Sequence, residues 1–312
     1  MPRSNTHRPS DRVVVFGSIN LDSSFRVASL PAPGETVITL SGSKGLGGKG
    51  ANQAVAAARS GALVTFLGAV GDDDAGRQLL VALEAAGVET DFVRRLVSVE
   101  SGSAMIVVDA IGQNQIVVSS GANALVDSQL AASVSQVIAE ADVVIVQGEL
   151  TEPATTAAIA AADAAGVRVI VNLAPYMEMG SALRTADPLV VNEVEASQLL
   201  GTVISDRGSA LAFGPQLLEF CRSAVVTLGA EGAVIVDAQG ARHLAAPVVS
   251  EVRDTTGAGD ALVGVLGAAL AHGLELEQAL RAAVAAASQS VTVSGAAESY
   301  PRFSLDEIGV TQ

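Results

Sequence analysis

The chain has no tryptophan, one cysteine, three histidines and only 3% aromatic residues in 312 positions. Without large rings, its core must come from Ala, Val, Leu and Ile. That composition suits a Val-rich parallel sheet packed by Ala-rich helices. A lone Cys221 excludes an internal disulfide framework. His7, His243 and His272 are scattered, which removes any zinc-ligand spacing. Positive charge is scarce: 18 Lys and Arg stand against 33 Asp and Glu, a net charge of −15. Such a surface argues against a nucleic-acid or anionic-membrane partner. A bound phosphate must then be held by local backbone dipoles, a lysine or a metal. No apolar run approaches the ~20 residues of a membrane span. Residues 1–11 are polar and read as a disordered leader without a signal-peptide core. These absences together point to a cytoplasmic protein.

What is present is a regular alternation. Apolar strands are expected at 13–16, 63–69, 143–146, 167–171, 189–191 and 224–228. Helices are expected at 50–60, 74–86, 127–140, 153–165, 193–200, 258–271 and 276–290. This is the pattern of βαβ units in a doubly wound, mostly parallel α/β sheet flanked by helices. A hairpin of 233–236 with 241–244 closes one edge. Two stretches, about 23–43 (with a short alternating run at 35–40) and 101–119, do not fit the alternation. They read as a small inserted antiparallel sheet, a natural lid over a site in a single domain spanning 12–312. The apolar strands finish at Asn20, Gly148-Glu149, Asn172, Asn192 and Thr227-Leu228-Gly229. Ligands of open α/β sheets bind beyond these carboxyl ends.

The most informative segment is Asp254-Thr255-Thr256-Gly257-Ala258-Gly259-Asp260, a glycine turn that runs into an apolar helix. The glycines let an anion approach the backbone, and the helix start attracts negative charge. Asp260 beside such a site is better suited to accept a hydroxyl proton than to cap the helix. A plain N-cap after a glycine turn remains the alternative. Gly47-Gly48-Lys49-Gly50-Ala51-Asn52-Gln53 opens another helix. It is a glycine loop against which a polyol can lie, with Lys49 and Asn52 projecting toward it. The GxGxxG match at 45–50 has no buried strand before it and no acid about twenty residues on. The loop is not a Walker A motif either, because Gly50 follows Lys49. Asn192-Glu193-Val194-Glu195 can hold Mg²⁺ through retained waters or form a capping box. No GxSxG elbow is present.

Together these pieces, with Gly17-Ser18-Ile19-Asn20-Leu21-Asp22, Pro33-Gly34-Glu35-Thr36 and Gly71-Asp72-Asp73, resemble the ribokinase-like (PfkB-type) carbohydrate kinases from residue 13 to about 301. The resemblance implies transfer of the γ-phosphoryl of ATP to a sugar hydroxyl. Asp260 would be the base and Gly257, Ala258 and Gly259 the anion hole. Asn20, Asp22, Gly48, Lys49, Asn52 and Glu149 would hold the sugar. Asn192, Thr227, Gly229, Gly232, Gly259 and Val284 would line the nucleotide site, with Glu195 helping to place Mg²⁺. A monovalent cation, usually K⁺, would sit by Asp254, Thr256, Ser290, Val293, Gly295 and Ser299. The resemblance also implies a homodimer joined through the lid sheet. Asp22 and Asn52 fit the 5-hydroxyl acceptor D-ribose better than 2-deoxyribose, with fructose and adenosine as other acceptors. A non-catalytic sugar sensor is the reading from a different class. Two positions depart from the family pattern: Leu262 stands where an aromatic is common, and Ala261 where Thr or Ser is common. Leu262 is expected to alter only core packing, and Ala261 to remove one hydroxyl near the phosphate.

Overall fold

Strand Arg12–Phe16 sends alternate side chains to two different cores: Val13 and Val15 to one, Val14 and Phe16 to the other. A strand buried on both faces belongs inside a helix-covered sheet. The computed structural model describes residues 10–302 and bears this out. The central sheet has nine strands. From one edge they are Gly240–Leu244, Ala233–Asp237, Ala224–Thr227, Ala186–Asn192, Arg168–Asn172, Val143–Gln147, Arg12–Phe16, Leu63–Leu67 and Val88–Glu89. All pairings are parallel except the two made by the expected edge hairpin. Helices Lys49–Arg59, Asp74–Ala85, Ala258–Ala271 and Leu276–Ser290 cover one face. Helices Glu152–Ala165, Glu193–Leu200 and Arg207–Phe213 cover the other.

A separate four-stranded sheet, the outer sheet, has the order Ser41–Gly47, Asn20–Arg26, Gly102–Val108, Asn114–Ser119. It is mixed, not antiparallel as expected, because its two central strands Asn20–Arg26 and Gly102–Val108, joined by a long crossover, run parallel, and one of its strands also differs from expectation. Residues 35–40 are not a strand; the partner of Asn20–Arg26 is Ser41–Gly47, in register from Arg26 against Ser41 to Asn20 against Gly47. Its glycines explain why so polar a segment pairs there. A Cβ on Gly47 would lie 2.1 Å from Asp22 Cγ, and one on Gly45 2.8 Å from Glu298 Oε1. The expected helix over 127–140 breaks at Val134 into Ser128–Ser133 and Ser135–Ala139.

Residues 1–9 of the expected leader lie outside the described residues. Ser10 donates from its backbone N–H and its hydroxyl to Asp142 Oδ2, at 3.0 and 2.8 Å. The Asp11 carboxylate lies 2.9 Å from His272 Nδ1. Among the described residues, no helix is long and apolar enough to cross a membrane.

Candidate active site

The first turn of helix Ala258–Ala271 is shaped by its N-cap, Gly257, at φ 75°. A left-handed residue at that point favours glycine, and the N-cap makes no side-chain hydrogen bond. The N–H groups of Gly259 and Asp260 fall in the first turn, where no carbonyl four residues back is available. A Cβ on Gly259 would meet nothing within 4 Å, so the turn opens onto free space. These donors and the helix dipole form an anion site.

Asp260 is 7% exposed and held from the neighbouring helix Lys49–Arg59. Asn52 Nδ2 donates to Oδ2 and Gln53 Nε2 to Oδ1, both at 3.0 Å. Gln53 Nε2 also donates to Asn172 Oδ1 at 2.9 Å, and Gln147 Nε2 donates to Gln53 Oε1 at 2.8 Å. Two strand ends and two helix starts thus fix one carboxylate. The two helices can approach because Gly264 has no side chain; a Cβ there would sit 2.4 Å from the Gln53 carbonyl oxygen. Burial raises the Asp260 pKa, opposed by Lys49 and by the amides of Asn52 and Gln53. In return the Asp260 charge lifts Lys49, with burial opposing.

The helix carrying Asn52 starts at Gly48, whose φ is 86° and whose Cβ would lie 2.9 Å from Ile19 Cα. Glu149 Oε2 ties this start to the first strand end, accepting from Lys49 N at 2.9 Å and Ser18 Oγ at 2.5 Å. Asn20 Oδ1 accepts from Asn123 Nδ2 at 2.8 Å. Burial, reinforced by the carboxylates of Glu149, Glu298 and Asp260, pushes Asp22 up to about 7. Asp22 Oδ1, Asn52 Oδ1 and Gln147 Oε1 are buried acceptors without a partner. Buried acceptors normally carry a hydrogen bond. The first two belong to residues expected to meet a polyol, and donor hydroxyls would complete them.

A cleft of about 560 Å³ lies on the other side of the same turn. It is lined by Thr227, Gly229, Gly232, Gly259 and Val284, as expected, and also by Leu262. Leu262, expected to matter only for core packing, thus also borders this cleft. Asn192 and Glu195 form the capping box: Glu195 N donates to Asn192 Oδ1 at 2.9 Å and Asn192 N to Glu195 Oε2 at 2.8 Å. Asn192 Nδ2 donates to Glu195 Oε1 at 3.1 Å. Burial raises Glu195, opposed by the Asn192 N–H and by Lys49. Each Glu195 oxygen keeps a free lone pair that suits the water shell of an ion better than direct ligation. Among the described residues, no group of three or more His, Cys, Asp or Glu is placed to hold a metal directly.

Asp254 Oδ1 accepts from Thr256 N and Oδ2 from Gly295 N, both at 2.9 Å. Burial works to raise this carboxyl, but those bonds win and hold it below its ordinary value. The loop after Leu276–Ser290 wraps it: Asp254 N donates to the Val291 carbonyl at 3.2 Å and Val293 N to that of Ser290 at 3.2 Å. Ser290 Oγ and Ser299 Oγ donate to the carbonyls of Ala287 and Ala296. An ionised carboxylate among loop carbonyls fits a weakly hydrated monovalent cation. Asp254 would hold it with backbone oxygens of this loop, and the hydroxyl oxygens of Ser290 and Ser299, which only donate here, keep their lone pairs for it.

The profile of the pfkB family carbohydrate kinases matches residues 10–302. The chain belongs to this family. It is 36% identical over 302 residues to a ribokinase of Schizosaccharomyces pombe, covering 93% of this chain and 94% of that protein. A Mus musculus ribokinase is 37% identical over 296 residues, covering 93% and 91%. The structure of Arabidopsis thaliana ribokinase complexed with ribose and ATP superposes with a TM-score of 0.87 at 30% identity, covering 96% of this chain and 99% of that one.

The fold gathers several of the expected residues. Asn20, Asp22, Lys49, Asn52, Glu149 and Asp260 lie at the carboxyl ends of the strands, with the 560 Å³ cleft and the Asp254 loop beside the 257–259 turn. Sequence reasoning missed Gln53, Asn123, Gln147, Glu298 and Tyr300. Gln53 and Gln147 were within reach, because each lies next to a quoted residue at a strand end or helix start. Glu298 and Tyr300 carry no local motif and meet the site only through the fold.

Proposed function

We propose that the chain transfers the γ-phosphoryl of ATP to the 5-hydroxyl of D-ribose, releasing ribose 5-phosphate and ADP. One observation carries this reading: a buried carboxylate with raised basicity, Asp260, sits at the open first turn of a helix and faces buried acceptors that lack donors. Asp260 takes the proton as the hydroxyl oxygen attacks, a contribution of ~10²–10⁴-fold. The N–H groups of Gly259 and Asp260 receive the charge on the phosphoryl oxygens. Lys49, next to Asp260, adds positive potential on the acceptor side. Asp22 and Asn52 orient the sugar ring, and their orphaned oxygens favour an acceptor with more than one ring hydroxyl. A bound Mg²⁺ would supply charge neutralisation for the phosphates, with Asn192 and Glu195 ordering its waters. Asp254, Thr256 and Gly295 would hold K⁺, which would add a positive field beside the turn. The outer sheet serves as a lid that limits hydrolysis of ATP by water. It also offers a surface for a homodimer. A single free thiol, Cys221, supports a reducing, cytoplasmic setting.

The test is a coupled ADP-release assay on ribose, 2-deoxyribose, fructose and adenosine. It is run with potassium and with a large organic cation at equal ionic strength. Ribose should give the highest kcat/KM, and potassium should raise turnover. Best turnover on adenosine would sink the sugar assignment, and an identical rate in both salts would remove the cation site.

A further inference from the structure

We propose that Tyr300 is a positioning residue for phosphoryl transfer, fixing and polarising the Gly257–Ala258 peptide at the mouth of the anion site. This inference rests on the kinase reading above. Tyr300 Oη donates to the Gly257 carbonyl at 3.0 Å. The same oxygen accepts from Ala261 N at 2.8 Å, the first bond of the helix that carries Asp260. Among the described residues, this phenol makes the one side-chain hydrogen bond to residues 257–259. The Gly257 N-cap has no side chain to hold itself, and the Ala258 N–H makes only a long contact of 3.3 Å to the Thr255 carbonyl. A donor on one end of a peptide group polarises it and strengthens the N–H at the other end. The N–H that gains is that of Ala258, inside the turn expected to form the anion hole, and the held peptide fixes the Gly259 and Asp260 N–H groups that follow it.

The phenol is built into place. It is 4% exposed, and a Cβ on Gly257 would come within 2.5 Å of its oxygen. Burial, with the nearby Asp260 and Glu298 carboxylates, keeps it a protonated donor throughout the working pH range. Arg59 Nη1 holds the Tyr300 carbonyl at 2.7 Å and that of Glu298 at 3.2 Å. Gly295, at the start of this loop, donates to Asp254. One short loop therefore grips the turn and the Asp254 carboxylate together. A buried tyrosine hydroxyl usually finds some partner. Here the partner is the N-cap carbonyl of the catalytic helix.

The experiment compares wild type with Tyr300→Phe in kcat, in KM for ribose, and in calorimetric affinity for ADP and for ADP with aluminium fluoride, a mimic of the transferring phosphoryl. Losing a direct oxyanion donor costs ~10²–10³-fold, so an indirect one should lower kcat about tenfold. KM for ribose and affinity for ADP should stay near wild type, while affinity for the aluminium fluoride complex falls in step with kcat. If Tyr300→Phe does not accumulate folded, Arg59→Lys, which leaves the phenol in place but loosens its backbone, is read the same way. Unchanged kcat and unchanged aluminium fluoride affinity overturn the inference, as does an equal loss of ADP and ribose affinity. A wild type inert on every sugar overturns the kinase reading itself and this inference with it. An active wild type matched by its variant overturns only the role of Tyr300.

Discussion

Asp260→Asn keeps the shape of the side chain and removes the base. Turnover should fall by at least about 10²-fold, while sugar affinity changes little. The introduced amide sets a donor against the amides of Asn52 and Gln53. Asn52 can turn its own amide, because its oxygen has no partner. Near-normal turnover in a steady-state assay would reject the base role. Asp22 is the second residue-scale test. Its folded value of about 7 stands above the ordinary 3.8. Between those values the folded state holds a proton that the unfolded chain has released. The associated stability is full below 3.8 and is lost as pH rises to about 7. The melting temperature of wild type relative to Asp22→Asn should therefore drop across that window, and parallel curves would contradict the buried, strained carboxylate. Sugar hydroxyls donate better to the ionised form, so KM for ribose should decrease as pH passes about 7. At this scale the sequence exposed every residue that carries a motif. Glu298 and Tyr300 stayed hidden because their roles come from which loop lies beside them, a property of the fold.

The helices were legible because their start signals are local. Glu193–Leu200, Ala258–Ala271 and Leu276–Ser290 begin and end where the expected spans do. The strand Ser41–Gly47 was not, since nothing in Ser-Gly-Ser-Lys-Gly-Leu-Gly resembles an apolar or alternating pattern. It pairs because its glycines allow Asp22 and Glu298 to lie close, so tertiary contact overrides propensity. Close packing of elements also sets the catalytic geometry. A Cβ at Gly264 would meet the Gln53 carbonyl oxygen at 2.4 Å and Ala56 Cβ at 2.6 Å. Gly264→Ala gains about 1 kcal/mol of helix propensity. Overpacking costs about 1–3 kcal/mol and should win, because one of the clashing atoms is backbone. The helices must separate, which lengthens the Asn52 and Gln53 bonds to Asp260. Urea unfolding should show a net loss of stability, and the assay a lower kcat; a variant more stable than wild type with unchanged kcat would contradict the packing argument.

For the whole molecule, the net charge of −15 means that ATP approaches a repulsive surface. Attraction must be local, at the helix start, at Lys49 and at the cations proposed above, which fits a site of backbone donors instead of a basic patch. The outer sheet presents a different problem. Its edge strand Asn114–Ser119 is exposed along its whole length and carries Ile116, Val117 and Val118. Met105, opposite Val117, is also exposed. A long apolar edge invites pairing with another chain unless it is covered. A second copy of this sheet is the cover proposed here. Met105 and Val117 share a face with Ser23, whereas Ile106, Ile116 and Ser24 line a second cleft, of about 870 Å³, that also reaches Asp22 and Asp254. Val117→Lys should therefore break the dimer without touching the cleft, shifting the sedimentation coefficient from dimer to monomer. Ile116→Lys should instead raise KM for the sugar. A wild type that sediments as a monomer at micromolar concentration would sink the dimer, and a Val117→Lys variant that remains dimeric would place the contact elsewhere.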